Sequence, residues 1–217
     1  MVRDCTNFGM RVSGRGSKGD AHEHRQVRPI VADGGGLRPF QAETLLAAQD
    51  VRIVFFDIDG VLTDGGVYFT EHGETLKRFS ILDGYGLKLL RKAGITPAVI
   101  TGRDSKPLRV RLEALGIEHV RYGTEDKLPA AEAMLKQLGF TWSQAAAIGD
   151  DWPDLPVLTR VGFAAAPANA HAEVRAVARY VTTARGGEGA AREFCDLLLT
   201  ACGQYRPLLD AALGPRP

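Results

Sequence analysis

The chain has 217 residues, 45% of them apolar and 24% charged, with a formal net charge of +1. That suits one globular domain with a real core plus tails, and it gives no basic field for nucleic acid or an anionic membrane. No apolar run approaches the ~20 residues of a membrane span, and the N-terminus has no apolar signal core, so neither a membrane anchor nor a signal peptide is expected. Three cysteines, Cys5, Cys195 and Cys202, are an odd count. They argue for a reducing cytoplasm without a disulfide framework, and Cys195 and Cys202 read as core packing on a helix rather than metal ligands.

In chain order, residues 1–37 hold Gly14, Gly16, Gly19, Gly34, Gly35 and Gly36 among scattered Arg and His, with no apolar periodicity. They read as a disordered leader or an over-long start, Met10 being an internal alternative. Asp4, Asp20, Glu23 and Asp33 argue against organelle targeting, and His22 and His24 read as solvated tail residues. The domain is predicted over 38–203, with a C-terminal tail over 204–217.

Residues 39–48 predict a short helix, and 51–56 (VRIVFF) a buried parallel strand. Alternation at 67–70 and 75–80 around a Gly-containing turn predicts a β-hairpin. Helix follows from about Gly84 to Ala93, stopped by Gly94. A strand over 97–101 leads to a helix capped by Asp104 or Ser105 and ended near Gly116. A strand over 119–122, a helix over 126–138 ended by Gly139, and a strand over 145–149 come next. Final strands are predicted at 161–164 and 179–182, a helix at 188–202, and a helix turn with a frayed end from Leu208. Strands alternating with helices predict an α/β fold with a doubly wound parallel, Rossmann-like sheet.

The most informative segment is DIDGVLTD at 57–64, directly after the first apolar strand. It delivers Asp57 and Asp59 to the carboxyl edge of the sheet, where ligands bind in open α/β folds. Two neighbouring carboxylates are unfavourable unless a cation or shared proton relieves them. A strand end followed by an Asx turn is the plain alternative. Further polar clusters fall at later strand ends or helix starts: Thr101-Gly102-Arg103, Lys127, and Asp150-Asp151 with Asp154. Taken singly, Thr101 could be a strand end and cap, Lys127 a solvated helix residue, and Asp151 and Asp154 caps of the short helix before Pro156.

Together, over about residues 51–192, these four clusters resemble the haloacid dehalogenase superfamily of phosphatases. The resemblance implies Asp57 as nucleophile, forming an aspartyl-phosphate, and Asp59 as acid and base. It implies Mg²⁺ held by Asp57, the Asp59 main-chain oxygen and Asp150. Lys127 would supply fixed positive charge, and Thr101 with the Gly102 amide would bind phosphoryl oxygens. Asp151 and Asp154 would orient metal waters or Lys127. Between Asp59 and Thr101 there is room only for the hairpin and one helix, and between Thr101 and Asp150 only for helix, strand and helix. No cap domain fits.

A second set narrows the resemblance. DIDGVLTDG, KRF at 77–79, LDGYG at 82–86, TGRDS at 101–105, GDDWPD at 149–154 and GGEGAARE at 186–193 are similar to the 3-deoxy-D-manno-octulosonate 8-phosphate phosphatases. That family implies a phosphorylated sugar acid as substrate, in lipopolysaccharide synthesis. It also implies a homotetramer assembled through the hairpin flap, with a neighbour's hairpin and C-terminal tail closing the site. By the same resemblance Lys88, Arg103 and Arg111 lie beside the substrate, where Arg can clamp a carboxylate through two bonds. Ser80, Ile81, Leu82, Asp83 and Gly84 would contact sugar hydroxyls, and Arg78 would reach a neighbour's substrate. Without the resemblance, Lys88, Arg109 and Arg111 read as a solvated helix face, and Arg192 as an ordinary helix cation. The long leader departs from the family pattern, and residues 71–74 at the hairpin tip carry no reading of substrate. Three other readings stay open: a phosphatase of a nine-carbon sialic-type sugar 9-phosphate, a non-catalytic assembly module, and a phospho-acceptor signalling domain. None of Asp57, Asp59 and Asp150 is lost, which disfavours the second; the third has no need of Asp59.

Overall fold

A computed structural model describes residues 40–214. The predicted leader, its alternative start and its histidines lie outside the described residues. In chain order the elements begin with α1 (Ala42–Ala48), β1 (Ile53–Phe56), β2 (Tyr68–Thr70), β3 (Gly73–Leu76) and α2 (Ile81–Lys92). Then come β4 (Thr96–Ile100), α3 (Lys106–Leu115), β5 (His119–Arg121), α4 (Lys127–Leu138) and β6 (Ala145–Ile148). The chain continues through α5 (Leu155–Leu158), β7 (Phe163–Ala166), α6 (Ala172–Val177), β8 (Tyr180–Val181), α7 (Ala190–Ala201) and α8 (Tyr205–Leu213).

The main sheet has the order β5-β4-β1-β6-β7-β8, with every pair parallel. Strand β1 is central because all four of its residues are apolar and buried. Val54 and Phe56 face one core, shared with buried side chains of α2, α3 and α7. Ile53 and Phe55 face the other, shared with α4, α5 and α6. Helices therefore cover both faces, as the doubly wound prediction required. The sequence order reverses at β1, between β4 and β6, and this switch point is where such sheets open a ligand crevice.

Strands β2 and β3 pair antiparallel as a separate hairpin. Only that hairpin and α2 separate Asp59 from β4, and the stretch from Thr101 to β6 holds α3, β5, α4 and one 3-10 turn. There is no cap domain in either place.

Several elements differ from the sequence reading. Helix α2 begins at Ile81, not near Gly84. Ser80 is its N-cap, accepting from the Asp83 N–H at 3.4 Å, and two glycines in the first turns had masked the start. Helix α6 was not predicted; it is six residues long and buries only Val174, too little for a periodic signal. Helix α8 runs over nine residues where one turn and a frayed end were expected. Pro207 sits in its first turn, where a missing N–H breaks no helical bond. Strand β7 lies two residues later than predicted because Gly162 packs against the Ser143 backbone before the ladder starts.

Candidate active site

Four segments meet at the carboxyl edge around β1. The Asp57 N–H donates to the Ile148 carbonyl at 3.2 Å, so the β1–β6 ladder carries Asp57 to its place. Beyond it, residues 58–63 form a tight loop in which the Leu62 and Thr63 N–H groups both donate to the Ile58 carbonyl at 2.9 Å. The Gly60 N–H donates to Thr63 Oγ1 at 3.3 Å. Gly60 has φ +90°, and a Cβ there would run into the Asp150 carboxylate. Both facts demand glycine.

Lys127, the first residue of α4, is the hub of the inner cluster. Its ammonium donates to Asp57 Oδ1 at 2.6 Å and to Asp154 Oδ1 at 2.7 Å. Its side chain is 6% exposed. The other Asp154 oxygen accepts the Asp150 N–H at 3.0 Å. Oxygens of Asp57, Asp150 and Asp154 lie within 4.8 Å of one another. Three carboxylates thus face one ammonium. Burial, with the Asp154 charge and against the pull of Lys127, pushes the Asp57 carboxyl up to about 6. Burial with the charges of Asp57 and Asp154 pushes Asp150 up to about 8. For Lys127 burial works downward, but Asp57 and Asp154 outweigh it and hold the ammonium above its ordinary value. Asp151, by contrast, caps the adjacent 3-10 turn by accepting the Trp152 N–H at 2.8 Å. That is the capping role weighed for it.

Thr101, directly after β4, is buried, and its hydroxyl accepts the Arg103 N–H at 3.2 Å. Asp59 lies further out, its side chain 23% exposed. Lys77 bonds its Oδ1, and Arg103 Nε stands 3.6 Å from its Oδ2. Lys77 also pairs with Glu74 at 2.9 Å, and Glu74 meets Arg103 Nη1 at 3.4 Å and the Ser105 hydroxyl at 3.1 Å. Burial opposes ionisation of Glu74, but Lys77, Ser105 and Arg103 prevail and hold its carboxyl below the ordinary range. Sequence reasoning missed Glu74 and the Lys77 contact. A lysine in a hairpin reads as solvated, and its partner at residue 59 is visible only in three dimensions. Ser105, one of the two residues expected to cap α3, is its N-cap residue, but its hydroxyl donates to Glu74 and makes no cap bond.

The predicted sugar contacts divide. Arg111 donates to the Ser80 carbonyl at 3.2 Å and lies over the Phe79 ring at 5.8 Å. A Cβ at Gly84 would run into the Arg111 guanidinium, so Ser80, Gly84 and Arg111 form one group. Ile81 and Leu82 are exposed on the first turn of α2. The Asp83 carboxylate is buried and committed to the N-terminus of α7, which leaves its backbone for the expected sugar contact. It accepts the Arg192 N–H at 2.8 Å and the Gly189 N–H at 3.3 Å. Burial raises its pKa against those bonds. Lys88 is exposed on α2 and makes no ion pair among the described residues. Arg78 pairs with Asp64 at 3.1 Å, and Arg192 with Asp196 at 2.8 Å, within this chain.

The 186–189 segment packs against the loop after β1. The Gly187 N–H donates to the Val61 carbonyl at 2.9 Å, and the Gly186 N–H to Asn169 Oδ1 at 2.8 Å. A Cβ on Gly186 would run into the Gly60 carbonyl oxygen.

Comparison with known proteins adds to this geometry. Residues 120–194 match the sequence model of haloacid dehalogenase-like hydrolases. The chain is 42% identical over 176 residues to the 3-deoxy-D-manno-octulosonate 8-phosphate phosphatase KdsC of Escherichia coli K12, covering 81% of this chain and 92% of that protein. The crystal structure of the Yersinia pestis enzyme of the same name is 42% identical, with a TM-score of 0.75 over 77% of this chain and 91% of that one. The Moraxella catarrhalis phosphatase, in complex with magnesium ion, phosphate ion and a KDO molecule, is 38% identical, with a TM-score of 0.77. It is covered over 99% of its length, against 80% of this chain. With strand-end carboxylates, a buried lysine and no cap domain among the described residues, the chain belongs to the 3-deoxy-D-manno-octulosonate 8-phosphate phosphatase family of haloacid dehalogenase-like hydrolases.

Proposed function

We propose that the chain hydrolyses 3-deoxy-D-manno-octulosonate 8-phosphate to the free sugar acid and phosphate, in lipopolysaccharide synthesis in the cytoplasm. The observation that carries this reading is the 42% identity to a phosphatase of that substrate over 81% of the chain. The Asp57–Lys127–Asp154 cluster at the sheet's switch point supports it.

In the first step an Asp57 oxygen forms a bond to phosphorus while the bond from phosphorus to the C8 oxygen breaks. The electron pair leaves with that oxygen, which takes a proton from Asp59. In the second step water gives a proton to Asp59 and bonds to phosphorus. The Asp57–phosphorus bond breaks, and phosphate departs. Lys127 holds Asp57 at 2.6 Å and neutralises part of the charge gathered there. Thr101 and the Gly102 amide bind phosphoryl oxygens. Arg103, Arg111 and Lys88 receive the sugar's carboxylate end, with the backbone at Ser80 and Gly84 meeting its hydroxyls.

The donor set fits Mg²⁺. It is all oxygen, and its three carboxylates exceed the one ammonium among them. Asp57, Asp150 and the Asp59 main-chain oxygen would hold the ion, with Asp154 orienting Lys127 and the Asp150 backbone. When bound, Mg²⁺ would offset the charge repulsion between Asp57 and the phosphate.

The test is phosphate release with Mg²⁺ from the octulosonate 8-phosphate, a nine-carbon sialic-type 9-phosphate and hexose phosphates. Strong preference for the first is expected; preference for the nine-carbon acid would move the pathway and keep the chemistry. No release from any by folded protein would overturn the enzyme reading. We also propose a homotetramer built through the hairpin. Tyr68, Phe69 and Leu76 expose apolar surface there, which supports the reading. Light scattering at micromolar concentration should give four times the chain mass, and monomer alone would remove the assembly.

A further inference from the structure

The carboxylate assigned to proton transfer is not held by the sheet. Asp59 sits on the loop after β1, and its side chain is fixed by a four-membered ring of charges. Lys77 takes Asp59 Oδ1 and Glu74 Oε1; Arg103 faces Asp59 Oδ2 and Glu74 Oε2. Each carboxylate thus spans both cations, and two negative charges balance two positive ones. The ring draws on three segments: the loop after β1, the end of the hairpin, and the loop after β4.

Its members differ in hold. The Lys77 side chain is 1% exposed and bonded to Asp59 Oδ1. Arg103 is 45% exposed, and its 3.6 Å approach to Oδ2 is too long for a hydrogen bond. Oδ1 is therefore pinned, and Oδ2 is the more loosely held oxygen. Glu74, anchored in turn by Ser105, fixes where Lys77 points.

We propose that Lys77 and Glu74 are positioning residues for Asp59: Lys77 pins Oδ1 so that Oδ2 faces the oxygens that gain and lose protons, and Glu74 holds Lys77. This rests on the phosphatase reading above. Proton transfer needs an approach within hydrogen-bond distance, so a carboxylate free to rotate loses turnover without losing substrate binding.

The experiment uses the full chain with Mg²⁺ and two kinds of ester. One is the octulosonate 8-phosphate, whose alkoxide must be protonated as it leaves. The other is p-nitrophenyl phosphate, whose nitrophenolate leaves without a proton. Asp59→Asn sets the scale of complete loss, about 10²–10⁴-fold in kcat on the sugar ester. Lys77→Met is expected to lower kcat on that ester by about 10–100-fold with KM changed by less than about threefold. The single-turnover burst of nitrophenolate should stay within about threefold of wild type, since that step needs no acid. Glu74→Gln should give the same pattern with a smaller loss, and Lys77→Arg should recover part of it.

Equal loss on both esters would mean a merely structural role and overturn the proposal. So would kcat on the sugar ester within about twofold of wild type in folded Lys77→Met. If Lys77→Met does not fold, the leaving-group contrast in Glu74→Gln decides by the same criterion. If wild type cleaves the aryl ester but not the octulosonate, the substrate assignment fails. The contrast is then run on whichever alkyl phosphate the protein does cleave, and it judges Lys77 separately.

Discussion

The two charged clusters of the site solve opposite problems. The inner one, Asp57, Lys127, Asp150 and Asp154, is buried at sheet and helix ends and carries more negative than positive charge. Its carboxyls Asp57 and Asp150 are pushed upward as a result. The outer one, Asp59, Lys77, Glu74 and Arg103, is mounted on loops and a hairpin and is balanced. Its Glu74 is held below the ordinary range. Surplus negative charge suits a place that receives a cation. Balanced charge suits a place where direction alone must be kept.

The contrast breaks most sharply in stability. Lys127→Met leaves Asp57 and Asp154 without their shared cation in a buried place. The loss of one partner from such a set costs about 3–5 kcal/mol. In a domain of this size that is roughly 6–20 °C in Tm by calorimetry. Arg103→Ala removes an outer cation that is 45% exposed. It should change stability by about 0–1 kcal/mol, or less than ~4 °C in Tm. Equal shifts in the two variants would erase the distinction between the clusters.

A smaller effect sharpens it. Asp57 and Asp150 bind protons more tightly in the folded chain than their ordinary value of 3.8. Without metal, their contribution favours the fold below pH ~4 and fades as pH rises through about 6 and then about 8. A divalent cation must displace those protons, so its stabilising effect grows over the same window. Thermal unfolding with and without Mg²⁺ should show a larger rise in Tm near pH 8.5 than near pH 5.5. A rise independent of pH would detach the two carboxyls from the cation.

The inner cluster was the more legible in sequence, for a physical reason. Asp57 and Asp150 each follow a short apolar strand, and Lys127 starts a helix, so local pattern places all three on one edge. Asp154 was legible only as a cap or an orienting group; the structure bonds it to Lys127 and to the Asp150 amide. The outer cluster was half hidden. Asp59 and Arg103 came from motifs, but Lys77 and Glu74 sit in a hairpin whose exposed neighbours Tyr68, Phe69 and Leu76 give no inward pattern. The side chain of Asp83 was not legible, because its place in the LDGYG segment gives no sign of a partner in α7. A buried carboxylate serving a helix more than a hundred positions away has no local signature.

The packing of Gly186 and Gly187 on the loop after β1 has a consequence for the order of synthesis. The strand that carries Asp57 leaves the ribosome early in the domain, but the segment that braces the loop after it emerges near the end. Pairings of such long sequence separation form late. A growing chain can assemble the central strands and bring Asp57 to their edge while that loop still lacks its brace. The loop after β1 is therefore fully braced only with the last part of the domain and does not settle strand by strand.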